Sequence, residues 1–186
     1  MWIIPSFQRE EAGMRVFSRI IAAYDRNIVK LNGWKKVPGS TLEFLYMVPK
    51  TYKGKPVRIK DGTVIQKGDR YYEIHIINTN LSKLNTSYGN LFIMLNEELK
   101  LIGDHMRRDE AEEYKAVLAV TLLHRLARRA GFTIKEIDNP VMRRLVSNGE
   151  VILLTALRKE KGTRPKKKRV AKECWMSRSQ VLTIET

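Results

Sequence analysis

Two side chains suited to proton transfer stand two residues apart in the run Tyr71-Tyr72-Glu73-Ile74-His75-Ile76-Ile77. The run is rich in aromatic and β-branched residues, so it reads as a strand, and a strand turns alternate residues to one face. Tyr71, Glu73, His75 and Ile77 then share one face, and Tyr72, Ile74 and Ile76 the other. A carboxylate beside an imidazole orients its tautomer and raises its basicity, the arrangement behind many general bases and metal-bound histidines. Glu73 and His75 are therefore the candidate catalytic pair. The plainer reading is a partly buried histidine satisfied by hydrogen bonds, with Glu73 at the surface or paired to an arginine.

Five further residues are candidates for ligand contact. Asp69 and Asn78 flank the strand, where Asp and Asn also bond their own backbone to shape turns. Trp175, Ser177 and Arg178 cluster near the end of the chain: an indole stacks on a sugar or fills a core, a hydroxyl caps a helix, and a guanidinium binds a carboxylate or phosphate. A structural lock, with Arg178 paired to a carboxylate from the body, is the preferred reading. The single cysteine, Cys174, rules out an intrachain disulfide and reads as a small buried hydrophobe. His105 and His124 lie in stretches read as helical, without the spacing that brings two imidazoles to one metal, so neither a metal nor a cofactor is expected. Gly-x-Ser-x-Gly, Walker, Gly-x-Gly-x-x-Gly and His-Glu-x-x-His patterns are absent, which removes support for common hydrolase and nucleotide mechanisms.

Charge is the other prominent property. The 186 residues carry 35 Lys and Arg against 20 Asp and Glu, a formal net charge of +15. Nine of those cations and one acid, Glu160, fall between Arg158 and Lys172, so that stretch carries +8 and the rest of the chain +7. Arg164, Lys166, Lys167, Lys168 and Arg169 are candidate phosphate- or anion-binding residues. A solvated loop of mutually repelling charges is the plain reading; an anionic membrane surface or a nucleic-acid backbone is the functional one. No RNA-binding signature accompanies the run, which disfavours nucleic acid. Met1-Trp2-Ile3-Ile4-Pro5 lacks the flank and apolar length of a signal peptide, and no stretch is apolar enough to span a bilayer. A cytoplasmic protein, at most peripheral at the inner membrane face, is expected.

The elements that must position these residues follow from periodicity. Met14, Phe17, Ile20, Ile21, Tyr24, Ile28 and Leu31 recur at helical spacing from about Glu10 to Leu31 and predict a helix packing that stripe on a core. Thr41 to Val48 predicts a strand. Val57 to Ile59, Thr63 to Ile65 and Tyr71 to Ile77, separated by Asp61-Gly62 and Lys67-Gly68-Asp69, predict an antiparallel hairpin or meander, with Asp61-Gly62 suited to a type I′ turn. Leu91 to Leu101 suggests a helix that Gly103 is placed to break. Asp109 as N-cap, apolar residues from Val117 to Leu126, and Arg125, Arg128 and Arg129 before Gly131 predict a third helix with its dipole complemented. Phe132 to Ile137 and Val151 to Leu157 read as strands, and Pro140 to Val146 as a short helix. Trp175 to Leu182 has no assigned type. The length suits one domain over residues 1–186, with a basic loop at about 158–172, and the element order predicts an α+β fold with a largely antiparallel sheet and packed helices.

Asp61-Gly62-Thr63-Val64-Ile65, Gly68-Asp69, Glu73-Ile74-His75-Ile76 and Asn78, then Gly131-Phe132 and Trp175-Met176-Ser177-Arg178, stand in an order that resembles the YkoP-like domain family. The lysine-rich stretch before Trp175 departs from that pattern, as does Ala119 where a glycine is expected. The family's members are found alone or attached to polysaccharide deacetylase domains. The resemblance therefore implies a non-catalytic accessory or ligand-binding module in cell-envelope polysaccharide metabolism, with envelope polysaccharide-processing enzymes as partners. Two other readings stand beside it: an enzyme using Glu73 and His75 on a glycan or phosphorylated substrate, and a nucleic-acid-binding protein acting through the basic loop.

Overall fold

The computed structural model describes residue 27 and residues 29–76, 87–138 and 170–184. In chain order its elements are β1 (Lys35–Lys36), β2 (Leu45–Thr51), β3 (Val57–Arg58), β4 (Val64–Ile65), β5 (Arg70–Ile76), α1 (Tyr88–Met106), a 3-10 turn (Asp109–Ala111), β6 (Tyr114–Thr121), α2 (His124–Arg129), β7 (Thr133–Lys135), β8 (Lys172–Ser177) and α3 (Arg178–Leu182). The main sheet has the order β1-β2-β5-β6-β8-β7, and β3 and β4 form a separate two-stranded ribbon. Every neighbouring pair is antiparallel except β5 and β6. A parallel pair needs a crossover, and α1 supplies it. The fold is α+β, with a largely antiparallel sheet and helices packed on it.

Strand alternation divides the core. Leu45, Met47, Tyr72, Ile74, Val117, Cys174 and Met176 point to one face, where they meet Leu91, Leu95, Leu99, Ile102 and Met106 of α1, Leu126 and Ala127 of α2, and Val181 of α3. The α1 residues recur at three and four positions, the spacing that puts them on one helical stripe. On the other face Tyr71, Ala116, Leu118 and Trp175 pack against Ile59 and Ile65 of the ribbon.

Several expectations are corrected. Tyr114–Thr121, read as the body of a helix capped by Asp109, is strand β6; only His124–Arg129, the end of that stretch, is helical. The physical reason is burial on both faces. Tyr114, Ala116, Val117 and Leu118 are all buried between β5 and β8, and a strand buried on both sides shows a continuous apolar run without alternation. Helix α1 starts earlier than expected, on Ser87, whose hydroxyl accepts from the Asn90 N–H at 3.2 Å, and it runs through Gly103 without a break. A Cβ at Gly103 would lie 3.0 Å from the Val181 carbonyl oxygen, so the glycine admits close packing of α3.

The β3–β4 hairpin forms as expected, but its turn is not type I′. Gly62 has φ of 90° while Asp61 keeps negative φ, the Ile59 carbonyl accepts from the Gly62 N–H, and the Ile59 N–H donates to Thr63. This is a turn closed by one left-handed glycine rather than two left-handed residues. Leu31, placed on the core-facing stripe by its spacing, is 84% exposed beside Gly33, whose φ of 65° ends the helical turn at 29–32. The remainder of the helix expected from Glu10, the helix at Pro140 to Val146, the strand at Val151 to Leu157 and most of the basic loop lie outside the described residues. Among the described residues no helix is long and apolar enough to cross a membrane.

Candidate functional site

The register of β2 against β5 pairs Tyr46 with His75, Val48 with Glu73 and Lys50 with Tyr71, so these side chains share the face opposite α1. Leu118 of β6 pairs with both Glu73 and Trp175, and Val120 with Glu173, which extends the same face to β8. The expected alternation therefore holds for the described residues of β5, and Glu73 and His75 are neighbours. His75 Nε2 lies 3.5 Å from Glu73 Oε1, and their side chains are 21% and 22% exposed. That distance is an electrostatic contact and not a hydrogen bond: Nε2 is buried and has no hydrogen-bond partner among the described residues. The ring is instead fixed by Trp34, stacked on it with centroids 3.7 Å apart and planes 8° from parallel.

The surrounding charges decide the protonation states. Burial, reinforced by the Lys50 ammonium, pushes the His75 imidazole down to about 4. Burial pushes the Glu73 carboxyl up, with Lys50 acting against the shift and Glu173 with it. Glu173 is itself raised by burial and by Asp138, although its carboxylate accepts the Trp175 indole N–H at 2.9 Å. The Tyr71 phenol is pushed up to about 12 by burial and by Glu73, Glu173 and Tyr52. At neutral pH the site presents a neutral imidazole, half-buried carboxyls, a lysine and un-ionised tyrosine. A ring that stays neutral down to about 4 is a poor proton donor at pH 7 and a weak base, but it still offers one donor and one acceptor nitrogen.

The other sequence candidates lie elsewhere. Asp69 precedes β5 at the end remote from His75, roughly 20 Å away at the rise of an extended strand. It accepts from the Gln66 N–H at 2.9 Å and pairs with Lys115 at 2.7 Å, which outweigh burial and hold its carboxyl below the ordinary value. Trp175 is fully buried against Tyr52 and Tyr71. Ser177 caps α3 in a capping box with Gln180. Arg178 donates to the Ala111 carbonyl at 2.8 Å. Among the described residues no carboxylate pairs with Arg178 as expected, and the backbone carbonyl that ends the 3-10 turn before β6 is its acceptor. Asn78, Arg164, Lys166, Lys167, Lys168 and Arg169 lie outside the described residues.

Trp34, Lys50, Glu173 and Asp61 were not singled out by their chemistry. Glu173 shares a face with Trp175 by period-two alternation, a signal that reading Lys172–Ser177 as a strand would supply. Trp34 follows Gly33 in an irregular segment, and nothing local links it to His75. Asp61, read as a turn residue, accepts from the Ser177 hydroxyl and, at 2.8 Å, from Ser179. Burial pushes its carboxyl up, but these bonds and those from Thr63 outweigh it and leave it low. Thus Asp61-Gly62-Thr63 and Trp175-Met176-Ser177-Arg178, more than a hundred residues apart, are one contact.

No curated protein and no solved structure matches the chain. A family model described as the YkoP domain matches residues 14–185, which takes in both the Asp61–Ser177 contact and the Glu73–His75 face, and the chain belongs to the YkoP domain family.

Proposed function

We propose that the protein is a non-catalytic ligand-binding or accessory module acting in cell-envelope polysaccharide metabolism. The observation that carries the binding part is the neutral His75 ring, stacked on Trp34 beside Glu73 with a buried nitrogen that has no hydrogen-bond partner among the described residues. Indole, carboxyl and neutral imidazole are the groups that take up the apolar face and the hydroxyls of a sugar. The same neutral ring weighs against Glu73 and His75 as an acid–base pair, since a general acid must hold its proton at the working pH. The envelope part rests on the resemblance to domains attached to polysaccharide deacetylases.

The test is a thermal-shift comparison of the wild type and His75→Ala with oligosaccharides, nucleotide sugars and polyprenyl phosphate analogues. Ligand at about 100 times its Kd stabilises the folded state by roughly 2.7 kcal/mol, enough for a shift of several degrees. The expected result is a glycan-dependent rise in Tm that the folded His75→Ala variant loses. A rise equal in both proteins would remove the site from this face, and no rise with any glycan would remove the reading.

A further inference from the structure

The opposite side of the molecule carries a second concentration of chemistry. Helix α2, His124-Arg125-Leu126-Ala127-Arg128-Arg129, buries Leu126 and Ala127 and leaves all three arginines exposed. Arg125 and Arg128, three residues apart, share its outward side, and Arg129 reaches α1, where its guanidinium lies 4.3 Å from the centre of the Phe92 ring. Among the described residues no carboxylate pairs with any of the three. Lys172 of β8 adds a fourth cation, paired with Glu136 at 2.6 Å. The field of this group is visible in His124, whose imidazole is held down by burial and then by Lys172, Arg128 and Arg125.

Exposed apolar side chains lie on the stretch of α1 that Arg129 reaches. Tyr88 and Ile93, on either side of the Arg129–Phe92 contact along α1, are 51% and 57% exposed. Single exposed apolar residues need no explanation, but an aliphatic and a phenolic side chain exposed on the helix that a guanidinium group reaches match a bilayer interface. Phosphate headgroups suit guanidinium, tyrosine sits at headgroup level, and isoleucine gains by entering the acyl boundary. A nucleic-acid backbone would satisfy the arginines and leave Ile93 in water.

We propose that the outer side of α2 and the first turns of α1 form a docking surface for an anionic lipid bilayer, with Arg125, Arg128 and Arg129 on headgroup phosphates and Tyr88 and Ile93 entering the interface. The surface lies across the sheet from His75, so His75→Ala should leave it intact, and the glycan reading and this one fail independently.

The experiment is co-sedimentation of the full chain with vesicles of phosphatidylglycerol mixed into phosphatidylcholine, against vesicles of phosphatidylcholine alone. Binding is expected only to the anionic vesicles and to weaken with salt. Each basic residue at such a surface contributes about fivefold, so R125Q/R128Q, which leaves the Arg129–Phe92 contact in place, should weaken binding roughly 25-fold. Ile93→Ser, at an exposed position that leaves folding intact, should weaken it about tenfold. Equal binding to both vesicle types would overturn the proposal. So would full binding by R125Q/R128Q together with its loss on neutralising Lys166, Lys167 and Lys168, or R125Q/R128Q-sensitive binding to single-stranded DNA without binding to the vesicles.

Discussion

Two buried titratable groups pull the stability of this protein in opposite directions as pH changes. Glu98 of α1 is 1% exposed; its carboxyl accepts from the Ser40 hydroxyl on one oxygen, while the other oxygen has no hydrogen-bond partner among the described residues. Burial raises it from 4.5 to about 7, against the pull of the Ser40 bond. Below 4.5 the carboxyl is protonated folded or unfolded; between there and about 7 the unfolded chain ionises first, so folding stability falls as pH rises. His75 is the reverse case: its ordinary 6.5 falls to about 4 in the fold, so its contribution is present above 6.5 and lost as pH falls toward 4. Each shift amounts to about 3 kcal/mol, and the two nearly cancel where their windows overlap. Glu98→Gln is therefore expected to raise stability at pH 8 by up to about 3 kcal/mol and to uncover a profile that climbs with pH. His75→Asn should uncover the falling profile. Urea unfolding across this range reads both, and superimposable profiles for Glu98→Gln and the wild type would show that Glu98 ionises normally.

At the scale of elements, the hairpin β3–β4 and the end of the chain hold each other through Asp61. Its carboxylate accepts from two hydroxyls, one of which, on Ser177, also caps α3. Asp61→Ala leaves the 1% exposed Ser177 hydroxyl without that acceptor and should cost about 1–3 kcal/mol. Ser177→Ala removes the cap as well and should cost at least as much. Urea midpoints measure both, and a loss under about 0.5 kcal/mol for Asp61→Ala would make the contact incidental. Elements with one wet face or a clear turn were legible beforehand: β5 by alternation, the ribbon by Asp61-Gly62, the end of α2 by its arginines and Gly131. β6 was not, since a strand buried on both faces carries no alternation to distinguish it from a helix. Nor was the continuity of α1, because Gly103 is there for a helix from the far end of the chain.

Over the whole molecule, a strand late in the sequence is an inner strand in space among the described residues. β8 lies between β6 and β7 and brings Trp175 into one core face and Met176 into the other. A chain ending at 169 should consequently not fold, whereas loss of an edge strand is often tolerated; a native far-UV spectrum and a cooperative thermal transition from that truncation would contradict this. Composition, charge and local period were enough for the α+β class, the concentration of basic residues at 158–172 and the pairing of Glu73 with His75, because these depend on residues close in the chain. What gives that pair its character is not local: the indole of Trp34, the ammonium of Lys50 and the carboxyl of Glu173 come from three separate segments, and the state of His75 is set by its burial and then by the Lys50 charge. Desolvation and long-range pairing depend on which segments are brought together, and only the tertiary structure brings them together.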